Sequence, residues 1–230
     1  MTPQVAILAA GMGTRLGRPF PKPLTQLATG KSIMAQQLDH VTTVLGSECR
    51  ITIVVGFKMD LIMEAFPEVL YAYNENYSET NTARSLARVL QLSGEGGLLW
   101  LNGDVVFDPR ILEKVRGLLT DDTSFVCVNT AAVGAEEVKY TVDAQGNIDQ
   151  LSKTVVDGLG EAVGINYVSG RDKATLLRRL RECADQDYFE RGIELAIAQD
   201  GLEFLPIDIS EFGCVEVDFE DDLARANTLG

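Results

Sequence analysis

The sequence has a single histidine, His40, among 230 residues, and its four cysteines are scattered without short spacings. One histidine excludes a multi-histidine metal site and disfavours histidine-based acid–base chemistry. Cysteines without short spacings predict neither a zinc site nor a disulfide framework. We expect His40 to be structural within a helix. We also expect four reduced, mostly buried thiols, at Cys49, Cys127, Cys183 and Cys214.

Positive charge is also scarce. Lysine and arginine number 20 against 34 aspartates and glutamates, so the formal net charge is −14. This balance argues against a general affinity for nucleic acid or for an anionic membrane surface. A phosphate-bearing ligand would need a local basic pocket. The cations considered for it are Arg15, Lys22, Arg84, Lys139 and Lys153.

Long hydrophobic runs are absent as well. No stretch approaches 18 apolar residues, and no basic segment precedes the short apolar run near the N-terminus. We therefore expect a cytoplasmic protein without a membrane span. The composition, 46% hydrophobic and 23% charged, is ordinary for a globular fold. Because neither an internal repeat nor a flexible linker is present, we expect a single domain over residues 1–230.

Strand-like and helix-like segments alternate through the first 128 residues. The strand-like runs are 4–9, 51–55, 69–73, 97–101 and 124–128, and the helix-like segments lie near 32–46, 58–66, 82–92 and 109–119. This alternation predicts a Rossmann-like α/β/α sandwich with a mostly parallel, mixed sheet.

The pattern changes after residue 136. Two runs, 137–142 and 147–153, flank a turn-forming segment and predict a small antiparallel β insertion, which a strand at 162–168 follows. Two helices are then expected around 176–183 and after Asp187. Strands near 203–207 and 214–218 are expected to close the sheet.

The most informative segment spans residues 5–24, where an apolar strand leads into a glycine turn. Gly11 and Gly13 allow backbone conformations that aim amides at an anion, and Arg15 adds a planar fork of donors. Lys22, between Pro21 and Pro23, adds a point charge on a stiffened segment. Since ligands of open α/β sheets bind at the carboxyl ends of the strands, this loop predicts a triphosphate site.

The spacing excludes two other phosphate-binding loops. The Walker pattern is absent, and Leu16 stands where the dinucleotide fingerprint would carry its third glycine. A nicotinamide-dependent dehydrogenase is therefore improbable.

Three carboxylates predict a magnesium site. Asp104 follows an apolar strand and Gly103 directly, and Glu216 and Asp218 are two residues apart, so they face the same side of a strand. Hard oxygen ligands of this number suit Mg²⁺, completed by a nucleotide. The alternatives are a helix or turn cap for Asp104 and surface positions for the other two.

These motifs carry a family resemblance. The stretch Leu8 to Leu16, with Pro21 to Leu24, resembles that of nucleotidyltransferases that join an NTP to a sugar phosphate or small phosphorylated alcohol. The segment Asn74 to Leu86 most resembles the bacterial phosphocholine and phosphonate cytidylyltransferases. The resemblance implies catalytic roles for Arg15, Lys22 and Asp104 and metal binding by Asp104, Glu216 and Asp218. It implies nucleotide contacts from Leu8, Ala9, Ala10, Gly11, Met12, Gly13, Thr14, Arg15, Lys22, Asn81, Thr82, Ser85 and Gly103.

The same resemblance implies the reaction and its partners. The substrates are CTP and a small phosphonate or phosphorylated alcohol, the cofactor is Mg²⁺, and pyrophosphate is released. We also expect a homodimer. Lys139, Lys153 and Glu161 fall on the acceptor side. A phosphonate is favoured over phosphocholine, because a quaternary ammonium prefers an aromatic cage and Trp100, the only tryptophan, is expected in a core strand.

Two other functions stay open. A sugar-1-phosphate nucleotidyltransferase using another NTP would have the same catalytic residues. A non-catalytic nucleotide-sensing protein would keep the fold, but nucleotide binding alone does not require two metal-binding carboxylates.

Overall fold

The computed structural model describes residues 2–131, 133–134 and 137–229. Its strands are β1 (Gln4–Ala9), β2 (Arg50–Val55), β3 (Leu70–Tyr73), β4 (Leu98–Asn102), β5 (Val105–Phe107), β6 (Phe125–Asn129), β7 (Lys139–Val142), β8 (Ile148–Ser152), β9 (Glu161–Val168), β10 (Leu205–Asp208) and β11 (Cys214–Glu216). Its α-helices are α1 (Ile33–Leu45), α2 (Met59–Ala65), α3 (Thr82–Leu92), α4 (Arg110–Thr120), α5 (Lys173–Glu182), α6 (Phe189–Asp200) and α7 (Glu220–Ala226).

The main sheet has the strand order β10-β6-β9-β4-β1-β2-β3. Strand β9 runs antiparallel to both of its neighbours, and the other pairings along this order are parallel. Alternate residues of β1 enter different cores: Leu8 packs with residues of α3 and α6, and Ile7 packs with residues of α1 and α4. Because both faces of the sheet are covered by helices, the predicted α/β/α sandwich is confirmed.

The small antiparallel insertion is also confirmed, since β7 and β8 form a hairpin and β7 pairs with the start of β9. The prediction that residues 214–218 close the main sheet is wrong. Strand β11 instead pairs antiparallel with β5 in a separate two-stranded sheet. The main sheet ends instead with β10, beside β6, at one edge and with β3 at the other.

His40 and the cysteines occupy structural positions. His40 lies in α1 with its ring 5.3 Å from that of Phe107, edge to face, and burial lowers the pKa of its imidazole. The four thiols are free; Cys127 and Cys183 are buried, and the other two are partly exposed. Within the described ranges, no helix combines the length and apolar character needed to cross a bilayer.

The turn between β4 and β5 holds the end of β4 against β1. Gly103 donates its backbone N–H to Leu8 O at 2.9 Å, and a Cβ added at Gly103 would lie 2.8 Å from that same oxygen. We expect Gly103→Ala to lower the free energy of unfolding by about 1–3 kcal/mol, because backbone must move to admit the methyl group.

Urea unfolding measures this effect, and Gly117→Ala is the control. Gly117 lies in α4, and a Cβ there would have no atom within 4 Å apart from its chain neighbours and its own helix backbone, so alanine should leave stability equal or slightly higher. Equal midpoints for Gly103→Ala and the wild type would contradict the prediction.

Candidate active site

A cavity of about 290 Å³ opens at the carboxyl ends of β1 and β4. Its walls come from the glycine loop after β1, the turn after β4, the start of α3, the start of α6 and the end of β11. Segments far apart in the sequence therefore meet at the edge where an open α/β sheet binds ligands.

Lys22 lies at the centre of the charged wall. Its Nζ donates to Asp104 Oδ2 at 2.8 Å and to Asp218 Oδ1 at 2.6 Å, and the residue is only 8% exposed. Burial acts to lower the pKa of the amine, but the two carboxylates outweigh it and raise that pKa to about 12. The amine therefore carries a full charge at neutral pH.

The glycine loop fits closely over this lysine. Gly13 has a φ of +58°, and a Cβ at that position would lie 3.0 Å from the Cβ of Lys22. A positive φ at this approach favours glycine. Arg15, on the same loop, donates from Nη1 to Asp218 Oδ2 at 2.7 Å while staying largely exposed.

The three predicted metal ligands come together. One carboxylate oxygen each from Asp104, Glu216 and Asp218 lie within 4.8 Å of one another. The β5–β11 pairing produces this approach: Val105 is opposite Glu216, and the Val217 N–H donates to the backbone oxygen of Asp104 at 3.0 Å.

The pKa values of Glu216 and Asp218 reflect the close approach of the three carboxylates. The charge of Asp104, together with burial, raises the pKa of Glu216 well above its ordinary value. Burial also acts to raise the pKa of Asp218, but Lys22 and Arg15 hold it below its ordinary value. A cluster of hard oxygen donors whose repulsion Lys22 and Arg15 relieve only in part fits a divalent cation such as Mg²⁺.

Most of the predicted nucleotide-binding residues line the cavity. They are Leu8, Ala9, Gly11, Gly13, Arg15, Lys22, Asn81, Thr82 and Gly103. Three others lie elsewhere: Ala10 is buried, Met12 is exposed, and the Ser85 hydroxyl accepts from Asn74 Nδ2 at 3.2 Å within the interior. Thr14 begins a short 3-10 turn, Thr14–Leu16, between the glycines and Lys22.

Only one of the three predicted acceptor-binding residues lines the cavity. Lys153 lines the cavity, with its Nζ 4.9 Å from the ring centre of Tyr188. Lys139 and Glu161 are register partners in the β7–β9 pairing and do not line it, and Glu161 Oε2 accepts from the Gly134 N–H at 2.8 Å.

Sequence reasoning missed two acidic wall residues, Glu137 and Glu190. Glu190 lines the cavity because the Phe189 N–H donates to Thr82 Oγ1 at 3.0 Å, and this hydrogen bond holds the start of α6 against the start of α3. No local sequence signal marks this contact, since 107 residues separate its two partners.

The chain belongs to the family of MobA-like NTP transferase domains, whose model matches residues 5–161. Membership confirms the resemblance and the predicted class of enzyme, a nucleotidyltransferase.

Two curated proteins are similar over nearly the whole chain. The CMP-5'-(3-aminopropyl)phosphonate synthase of Streptomyces rubellomurinus is 29% identical over 97% of this chain, which spans only 38% of that protein. The 2-aminoethylphosphonate cytidylyltransferase of Lancefieldella rimae is 24% identical, over 95% of this chain and 89% of that protein. Among solved structures, the inositol-1-phosphate CTP transferase from T. maritima superimposes with a TM-score of 0.81 at 14% identity, covering 99% of this chain and 96% of that one.

Proposed function

We propose that this protein transfers CMP from CTP to a small phosphonate and releases pyrophosphate, with Mg²⁺ as cofactor. The observation that carries the proposal is the Lys22 amine bridging Asp104 and Asp218 beneath a glycine loop. The names of the two curated relatives support cytidylyl transfer and a phosphonate acceptor.

Each wall of the cavity has a role in this reaction. Backbone amides of the glycine loop, Arg15 and Lys22 would bind the triphosphate, and Lys153 would orient the acceptor. Asp104, Glu216 and Asp218 would hold Mg²⁺. Bound there, the ion would neutralise phosphate charge and make the α-phosphorus more electrophilic.

The reaction needs no general base. An oxygen of the acceptor, already ionised near neutral pH, forms the new bond to the α-phosphorus of CTP. The bond from the α-phosphorus to the oxygen that bridges it to the β-phosphorus breaks, and pyrophosphate leaves with the electron pair of that bond. The protein must then hold two anions together, and Lys22, Arg15 and Lys153 supply the positive charge for this.

The walls favour a phosphonate over phosphocholine. Among the described lining residues, the aromatic side chains are Tyr188 and Phe189, and Phe189 is buried edge to face against Trp100 with ring centres 5.5 Å apart. A quaternary ammonium binds best within several aromatic faces, which this wall does not provide.

A cytoplasmic location, the single-domain organisation and a homodimer stay predictions.

A substrate screen tests the proposal. The purified protein with Mg²⁺ would receive each of the four NTPs together with 2-aminoethylphosphonate, phosphocholine or glucose 1-phosphate, and pyrophosphate release would be measured. We expect the highest rate from CTP with the phosphonate. Release with a sugar phosphate and another NTP would favour a sugar nucleotidyltransferase. Tight CTP binding without any release would favour a nucleotide sensor.

A further inference from the structure

Glu190 is a buried acid that the proposed reaction does not use. It is the second residue of α6, lines the cavity and is 7% exposed. Its Oε2 atom is buried and has no hydrogen-bond partner in the part of the chain that the structure describes. A buried carboxylate oxygen without a donor is costly, so such an atom in a cavity wall points to a ligand that supplies one.

Among the described residues, no charged side chain near Glu190 donates a hydrogen bond to its Oε2 atom. Lys153, just past β8, and Glu194, one turn further along α6, are the charges that act on it. Glu194 is already satisfied, because its Oε1 accepts from the Leu151 N–H at 3.1 Å and its Oε2 from Arg191 Nη1 at 3.4 Å. Burial raises the pKa of Glu190 to about 7, against the lowering effect of its own backbone N–H and of the Lys153 charge.

On the acceptor side of the cavity, Glu190 thus lies near Lys153, and Glu137 lines the same cavity. We propose that Glu190 binds a primary ammonium group of the acceptor, whose anionic end is held beside Lys153. The acceptor class is then an aminoalkyl phosphonate or phosphate. A primary ammonium brings N–H donors that satisfy Oε2, whereas a quaternary ammonium brings none. This inference rests on the proposed function.

Matched acceptors test it by kcat/KM at saturating CTP. 2-Aminoethylphosphonate and ethylphosphonate differ only in the amine, and we expect the wild type to prefer the first by about 10–100-fold, the range of a hydrogen bond to a charged group. In Glu190→Gln this ratio should fall toward 1. Glu194→Gln, which removes the same charge from the same helix, should keep the wild-type ratio. Ethanolamine phosphate tests the phosphate class beside the phosphonate.

Unfolding without substrates gives a second readout. A carboxyl whose folded pKa lies above its unfolded value binds more protons when folded, so it lowers stability as pH rises from about 4.5 to about 7. Glu190→Gln should therefore be more stable than the wild type at pH 8 and equal to it at pH 4. Adding 2-aminoethylphosphonate at pH 8 should narrow this gap, because the ligand pairs the wild-type carboxylate.

The outcomes separate the two proposals. Turnover of both phosphonates with an unchanged preference in Glu190→Gln would overturn the role of Glu190 and leave cytidylyl transfer standing. No turnover with any acceptor would overturn the proposed function. In that event, calorimetry of 2-aminoethylphosphonate on the wild type and Glu190→Gln decides the inference, since equal affinities would overturn it and weaker binding to the variant would support it.

Discussion

Asp104→Asn is expected to lower kcat for pyrophosphate release by on the order of 10²–10³ or more while the protein stays folded. The amide keeps the shape of the side chain but loses the charge of one of the three clustered carboxylates. Lys22 keeps its 2.6 Å contact with Asp218, so the lysine is still paired. Because Asp104 is the largest cause of the raised pKa of Glu216, its neutralisation also relieves repulsion, and the thermal midpoint without Mg²⁺ should not fall.

The control for this experiment is Asp108→Asn. Asp108 lies four residues further along and loses the same charge, but it accepts from Arg110 and does not line the cavity. We expect its kcat to match that of the wild type. A rate for Asp104→Asn within threefold of the wild type would remove Asp104 from the reaction.

Lys22→Met is expected to lower kcat/KM for CTP by on the order of 10²–10³, because a preorganised charge on the triphosphate is lost. It should also destabilise the metal-free protein by about 1–3 kcal/mol, since Asp104 and Asp218 lose their shared counter-ion. Mg²⁺ should then raise the thermal midpoint of the variant more than that of the wild type, because the ion no longer competes with the amine for these carboxylates.

Calorimetric melting with and without Mg²⁺ measures both the loss of stability and the response to the ion, and Lys31→Met is the control. Lys31 is an exposed lysine paired with exposed Asp39, so its loss should change neither the rate nor the response to Mg²⁺. The account of the cluster would be contradicted if Mg²⁺ stabilised Lys22→Met no more than it stabilises the wild type.

The charged centre of the site could be predicted because its parts follow strands. The loop after β1 and the turn after β4 both leave the carboxyl ends of neighbouring parallel strands, which places Lys22 and Asp104 at one edge. The pairing of β11 could not be predicted, because its partner β5 has only three residues and only Gly103 and Asp104 separate it from β4. The sequence pattern there indicates the end of a strand, not a second one.

The acceptor side was harder to predict because it depends on contacts between distant segments. Glu190 faces the cavity only through the contact of α6 with Thr82, and Glu161 turns instead toward the Gly134 N–H. Ser85 shows a related limit: one helical turn after Thr82 it lies on the buried side of α3, bonded to Asn74. Proximity in sequence to a site residue therefore did not predict proximity to the cavity.

A crystal structure of the protein grown with CTP and Mg²⁺ tests the central claim most directly. We expect the triphosphate to lie against the glycine loop and Lys22, with the metal ion bound by Asp104, Asp218 and Glu216. The contradicting result is a nucleotide bound elsewhere, for instance in the groove lined by Gly97, Arg116 and Tyr167, with Lys22 still paired to both aspartates.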